Sequence, residues 1–122
     1  TEAGSYTRSE ILSQPEVWRA TLTALQTGHE ALRTFYNQDA FDSVLFTGCG
    51  STYYLALAGA ALFQSMMGIP ARGLPASEIW LNPASSYSAD ARTLLVAVSR
   101  SGETSETLRA VESFSRRANG AC

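Results

Sequence analysis

The run Thr93-Leu94-Leu95-Val96-Ala97-Val98 is almost wholly apolar. It passes without a break into Ser99-Arg100-Ser101-Gly102-Glu103-Thr104 and then into a helical pattern over Ser105 to Ala118. A buried strand that turns straight into a helix through a hydroxyl-and-glycine loop leaves few folds open. The loop lies at a helix N-terminus, where backbone N–H groups lack intrahelical partners and the dipole favours negative charge. Ser99, Ser101 and Thr104 add hydroxyl donors, and Gly102 lets the backbone approach a ligand closely. These are the parts of a phosphate cradle. A second loop, Gly48-Cys49-Gly50-Ser51-Thr52, is built the same way after the apolar run Ser43 to Thr47. Two such loops on neighbouring strands can hold one phosphorylated small molecule between them.

The rest of the chain fits the same alternation. Thr7-x-x-Glu10 and Ser13-x-x-Glu16 have the capping-box form, and Pro15 suits a first helical turn. This predicts a short turn over Ser9 to Gln14 and a long helix from Pro15 to about Asn37. Trp18, Leu22, Leu25, His29, Leu32 and Tyr36 recur at steps of three and four, so that helix carries one apolar stripe for the sheet or a partner chain. Thr52 to Met67 reads as a helix closed by Gly68, Ala71 to Pro75 as a weaker strand, Ala76 to Leu81 as a short helix and Asn82 to Ala91 as a loop. The order predicts an α/β fold, a doubly wound parallel sheet sandwiched by helices. Ligands in such sheets bind outside the carboxyl ends of the strands, where both glycine loops lie. The domain reading is an N-terminal helical segment over 1–42 and a binding domain over 43–122.

Composition narrows the function. The net charge is −2 and the pI about 5.3, which argues against direct nucleic-acid binding. Arg116-Arg117, the basic pair, suits a helix C-terminus. The two cysteines, Cys49 and Cys122, have no metal-ligand spacing and make no secreted disulfide framework, so no metal or cofactor is expected and a reducing cytoplasm is the simplest setting. The apolar stretch Ala56 to Met67 is too short to cross a membrane. The first residue is Thr1, and a helix-stop signal at Asn119-Gly120 comes just before the end, where an alternating chain calls for another strand. The expectation is a sheet incomplete on its C-terminal side, part of something longer. A partner chain then covers the sheet edge, so at least a homodimer is expected, and monomeric sedimentation at micromolar concentration would contradict it.

Gly48-Cys49-Gly50-Ser51-Thr52, Gly68-Ile69-Pro70, Ala76-Ser77-Glu78 and Ser99-Arg100-Ser101-Gly102-Glu103-Thr104, in that order, resemble the sugar isomerase (SIS) domain. The opening Glu10-Ile11-x-x-Gln14-Pro15 is similar to the start of the isomerase half of the glutamine–fructose-6-phosphate aminotransferases, the glucosamine-6-phosphate synthases. The resemblance implies a flavodoxin-like sandwich and phosphosugar binding of the fructose 6-phosphate or glucosamine 6-phosphate type. It implies phosphate contacts from Ser99, Ser101, Thr104 and Thr52. Arg100 stands where those synthases carry a phosphate-contacting Gln, and Ser51 where they carry a Thr near the sugar hydroxyls. With Gly50 and Gly102, these are the candidate site residues. The carboxylate, lysine and histidine of the synthase reaction have no counterpart here. His29, the single histidine, matches no catalytic position, and no catalytic residue is assigned.

Each candidate has a plainer role. Gly48 and Gly50 equally suit a tight turn, and Ser51 and Thr52 equally suit helix capping. Arg100 serves as well on a solvated surface. Glu103 would repel a phosphate, so it is expected to turn away and support the helix start. Cys49 as a small buried hydrophobe, Glu78 as a structural charge and Trp80 as core are the defaults. The function expected is phosphosugar binding within an aldose–ketose isomerase, aminotransferase or deglycase acting on hexose 6-phosphates. The alternative is a phosphosugar-sensing module of a regulator, without chemistry of its own. A nucleotide-binding reading fails on the missing G-x-G-x-x-G and ribose-binding acid.

Overall fold

A computed structural model describes residues 2–38, 40–117 and 120–122. The chain divides into two compact units, Thr1–Asp39 and Ala40–Cys122. The first is one helix, α1 (Ser5–Gln38), of 34 residues, none of them buried. It is continuous through Pro15, where the sequence predicts a start. Proline removes one N–H and frees the Ile11 carbonyl, but solvent around an exposed helix can satisfy that group. Ten helical residues precede it and more than twenty follow, so propagation outweighs the local cost. The hydroxyls of Ser13, Thr21, Thr23 and Thr27 donate back to carbonyls three or four residues earlier.

The second unit runs β1 (Ser43–Gly48), α2 (Ser51–Met67), β2 (Ala71–Pro75), α3 (Ala76–Leu81), α4 (Pro83–Ser86), β3 (Thr93–Ala97), α5 (Ser105–Arg117) and β4 (Gly120–Ala121). All pairings are parallel and the sheet order is β2-β1-β3-β4. These are the first four places of the flavodoxin-like order 2-1-3-4-5, with the switch point between β1 and β3. Ser43 pairs with Thr93 and Thr47 with Ala97, so β1 and β3 end level and their two loops emerge side by side. The last residue of the predicted final helix, Ala118, and Asn119 of its stop signal lie outside the described residues.

Strand alternation divides the apolar residues between two layers. Phe46 faces α2: its ring lies 6.0 Å from that of Phe63, and a Cβ on Gly59 would sit 3.2 Å from its edge. Leu45 and Leu95, paired in register, face the other way into a core completed by Ala76, Ile79, Tyr87, Ala110 and Phe114. Phe114 meets Tyr87 edge-on at 4.9 Å. Burying side chains of this size contributes on the order of 1.5–3 kcal/mol each. The Thr47 hydroxyl, fully buried, donates to the Leu74 carbonyl at 2.8 Å and fastens β1 to β2 just below the loops.

Besides the continuity through Pro15, two details differ from the sequence reading. The predicted loop 82–91 contains the single turn α4, because Pro83 suits a first helical position and the Ser86 hydroxyl donates to the carbonyls of Glu78 and Asn82. Trp80 is half-buried instead of core: on a six-residue helix, Ala76 and Ile79 occupy the inward face. The Arg109 guanidinium lies over the Trp80 ring, 5.1 Å from its centroid.

Candidate functional site

Gly48 ends β1 with no room for a side chain. A Cβ there would come within 2.6 Å of the Thr52 carbonyl carbon and 2.7 Å of its carbonyl and hydroxyl oxygens. Gly50 then takes φ 61°, ψ −124°, a conformation closed to L side chains, and caps α2 without a side-chain hydrogen bond. The Thr52 hydroxyl closes the loop on itself: it accepts from the Cys49 N–H at 3.0 Å and donates to the Cys49 carbonyl at 2.9 Å. Its proton is engaged within the loop, so Thr52 must exchange a bond before it can serve a ligand.

The β3 loop is arranged in the opposite sense. Ser99 Oγ accepts from the Gly102 N–H at 2.9 Å, and Ser101 Oγ accepts from the Glu103 N–H at 3.1 Å. Both serines act there as acceptors, and a hydroxyl that accepts keeps its own proton to donate. These two bonds also consume the backbone N–H groups of Gly102 and Glu103. What remains for an anion is the pair of serine hydroxyls and the first turn of α5, whose N–H groups have no intrahelical carbonyl to reach. Gly102 has φ 72°, which reserves this turn for glycine as well.

The loops share one cavity of about 530 Å³, lined by Cys49, Ser51, Thr52, Leu55, Val98, Ser99, Arg100, Ser101 and Thr104. That volume suits a small metabolite. Six of the eight candidate residues are therefore brought together, while Gly50 and Gly102 shape the loops without lining the space. The N-termini of α2 and α5 both open on it, and the Arg100 guanidinium brings the positive charge. A second cavity of about 400 Å³, with Val44, Ala71, Arg72, Tyr87 and Thr93 in its wall, lies at the amino ends of the strands. Sheets of this kind bind ligands at the other end.

Arg100 is the charged residue among those that line the cavity. Glu103 is exposed and precedes α5, so the first-turn acid of that helix is Glu106. Glu78, in the first turn of α3, accepts from the Asn82 side-chain amide at 3.2 Å. His29 lies on α1, its Nδ1 3.3 Å from the Glu30 carboxylate. Cys49 is not the buried hydrophobe its size suggests. It is half-buried at the cavity wall, and its thiol donates to Glu106 Oε2 at 2.6 Å. That bond, together with burial and the carboxylate charge, holds the thiol above the usual cysteine range. Glu106 is the residue missed by sequence reading. Its one signal was an acid in the first turn of the helix that follows the serine loop.

Residues 39–122 match the SIS domain. The chain is 36% identical to the glutamine–fructose-6-phosphate aminotransferase (isomerizing) of Methanothermobacter thermautotrophicus, over 96% of this chain and 19% of that protein. The chain therefore spans about a fifth of that relative's length. Among solved structures, tagatose-6-phosphate ketose/aldose isomerase from Escherichia coli superposes with a TM-score of 0.87 at 25% identity, over 97% of this chain and 33% of that one. Glucosamine-6-phosphate deaminase from Thermotoga maritima superposes with a TM-score of 0.59 at 30% identity, covering 80% of this chain and 32% of that one. A two-layered parallel sheet, hydroxyl loops at its switch point and the family match over most of the sequence agree, and the chain belongs to the SIS domain family.

Proposed function

We propose that residues 43–122 bind a phosphosugar, and that Ser99, Ser101, Thr104 and the Arg100 guanidinium hold its phosphate. Ser51, Thr52 and the Gly50 turn face the sugar. The observation that carries this reading is the bonding sense of the β3 loop. Ser99 and Ser101 are both fixed as acceptors, so two hydroxyl protons are left at a helix N-terminus beside a guanidinium. A phosphate monoester supplies the acceptors that this donor set lacks. The relatives named for fructose 6-phosphate, tagatose 6-phosphate and glucosamine 6-phosphate support a hexose 6-phosphate or its amino derivative as ligand.

In the whole protein we place this module in a sugar-phosphate isomerase, aminotransferase or deaminase, working as at least a dimer. Anchoring the phosphate fixes the reacting carbons for a base supplied by another segment.

Thermal unfolding with millimolar fructose 6-phosphate or glucosamine 6-phosphate tests the binding. Free sugars and inorganic phosphate are the controls. Ligand at ~100 times its dissociation constant adds about 2.7 kcal/mol to the folded state. A stabilisation seen with the sugar phosphates and lost in Ser99→Ala/Ser101→Ala establishes the cradle. A cooperative transition that no sugar phosphate moves rejects it.

A further inference from the structure

Cys49 and Glu106 stand 57 residues apart, one in the β1 loop and the other in the first turn of α5. Their side chains meet at 2.6 Å, with Cys49 in the wall of the cavity that the loops share. Below them, the strand ends are joined by the Val98 N–H on the Thr47 carbonyl at 2.8 Å. That bond fixes the strands but leaves the loops above it free to spread. A carboxylate only accepts, so the Cys49–Glu106 bond exists only while the sulfur keeps its proton. A thiolate at 2.6 Å from a carboxylate would repel it. Among the described residues, Glu106 is the charged group set directly against the thiol. Arg100 lines the same cavity from the β3 loop.

We propose that the Cys49–Glu106 hydrogen bond sets the spacing of the two loops, which makes Cys49 a positioning residue of the cradle and Glu106 its anchor. Cys49 touches no phosphate in this scheme. It acts through the β1 loop, holding Ser51 and Thr52 at a fixed distance from Ser99 and Ser101. The effect on ligand rests on the phosphosugar reading; the bond itself does not. It also makes the cradle sensitive to anything that takes the thiol proton, whether alkaline pH or alkylation.

The test uses a Cys122→Ser background, so that Cys49 is the only thiol. The rate of iodoacetamide alkylation against pH gives the titration of Cys49 without any ligand. The expected profile lies above that of a free thiol, ~8.5, and moves down in Glu106→Gln. Fructose 6-phosphate affinity is then measured by calorimetry from pH 7 to 10. Cys49→Ala should weaken it about five- to tenfold at pH 7, the loss expected of one ordinary hydrogen bond, S–H being a weak donor. Cys49→Ser keeps a donor that does not ionise in this range. It should restore the affinity at pH 7 and hold it to pH 10, where the cysteine protein loses it. An ordinary thiol profile that Glu106→Gln leaves in place, or an affinity equal in Cys49→Ala and the parent, overturns the proposal. If the parent binds no fructose 6-phosphate while the thiol titration still answers to Glu106→Gln, the bond stands and the phosphosugar reading falls.

Discussion

Replacing Gly48 by alanine would test the geometry on which the β1 loop depends. The new Cβ would arrive 2.6 Å from the Thr52 carbonyl carbon and 2.7 Å from the Thr52 carbonyl and hydroxyl oxygens. Carbon atoms rest at about 3.5–4.0 Å, so the Thr52 backbone must move by roughly 1 Å. Overpacking of this kind costs ~1–3 kcal/mol. The Thr52 hydroxyl also bonds the Cys49 N–H and carbonyl at 3.0 and 2.9 Å, and the shift breaks both. Each is worth about 1 kcal/mol net. Against this, alanine stiffens the unfolded chain and returns ~0.4–1 kcal/mol. The balance is a loss of about 2–5 kcal/mol, a large share of a domain's ordinary ~5–15 kcal/mol. Urea unfolding followed by circular dichroism reads it as a lower midpoint at unchanged slope. Gly59→Ala is the control. Its Cβ meets only the Phe46 ring at 3.2 Å, which can turn aside. The helix gains about 1 kcal/mol from alanine there, so this variant should stay within ~1 kcal/mol of the parent. A Gly48→Ala protein within about 0.5 kcal/mol of the parent would refute the steric argument, since so close an approach has no cheap escape.

Two further outcomes follow from the core and the thiol. Phe114, 1% exposed and stacked edge-on against Tyr87, should cost ~3–5 kcal/mol when cut to alanine, and a loss under about 1 kcal/mol in denaturant titration would show that α5 is not seated as described. The folded chain holds the Cys49 proton more tightly than the unfolded one, because Glu106 accepts it. Its contribution is therefore complete below the ordinary thiol range and is lost as pH rises through the raised folded value. Burial raises Tyr87 and Cys122 in the same direction, so the diagnostic is the difference between the parent and Cys49→Ser, which should open only at alkaline pH; parallel curves would count against the bond.

The layered sheet was legible because its signals are local. Val44 to Thr47 and Leu94 to Ala97 are short apolar runs bounded by turn residues, and α2 ends at Gly68, whose N–H bonds the Gln64 carbonyl. The two loops that line the cavity were legible for the same reason, since each is a contiguous stretch of sequence. What stayed hidden needed geometry. Whether a serine accepts or donates depends on a turn that composition does not specify, and so Thr52 looked equivalent to Ser99 although their hydroxyl protons are spent differently. Cys49 and Glu106 are separated by two strands and three helices of chain, and no periodicity links them. Pro15 misled for a physical reason: its local penalty is real, but a long helix on either side overrides it.

The place of β1 in the sheet also bears on how the protein is made. It is the second strand across and the first in sequence, with partners on both sides that come later. Thr47 meets Leu74 after 27 residues, and Ser43 meets Thr93 only after 50. Contacts of such separation form slowly, because the intervening chain must close first. A ribosome adding about 5–20 residues per second would leave β1 without its second neighbour for roughly 3–10 s. During that interval the future centre of the sheet is a bare hydrogen-bonding edge, followed by the apolar α2. The strand buried deepest in the finished domain is the one a nascent-chain chaperone would have most reason to cover.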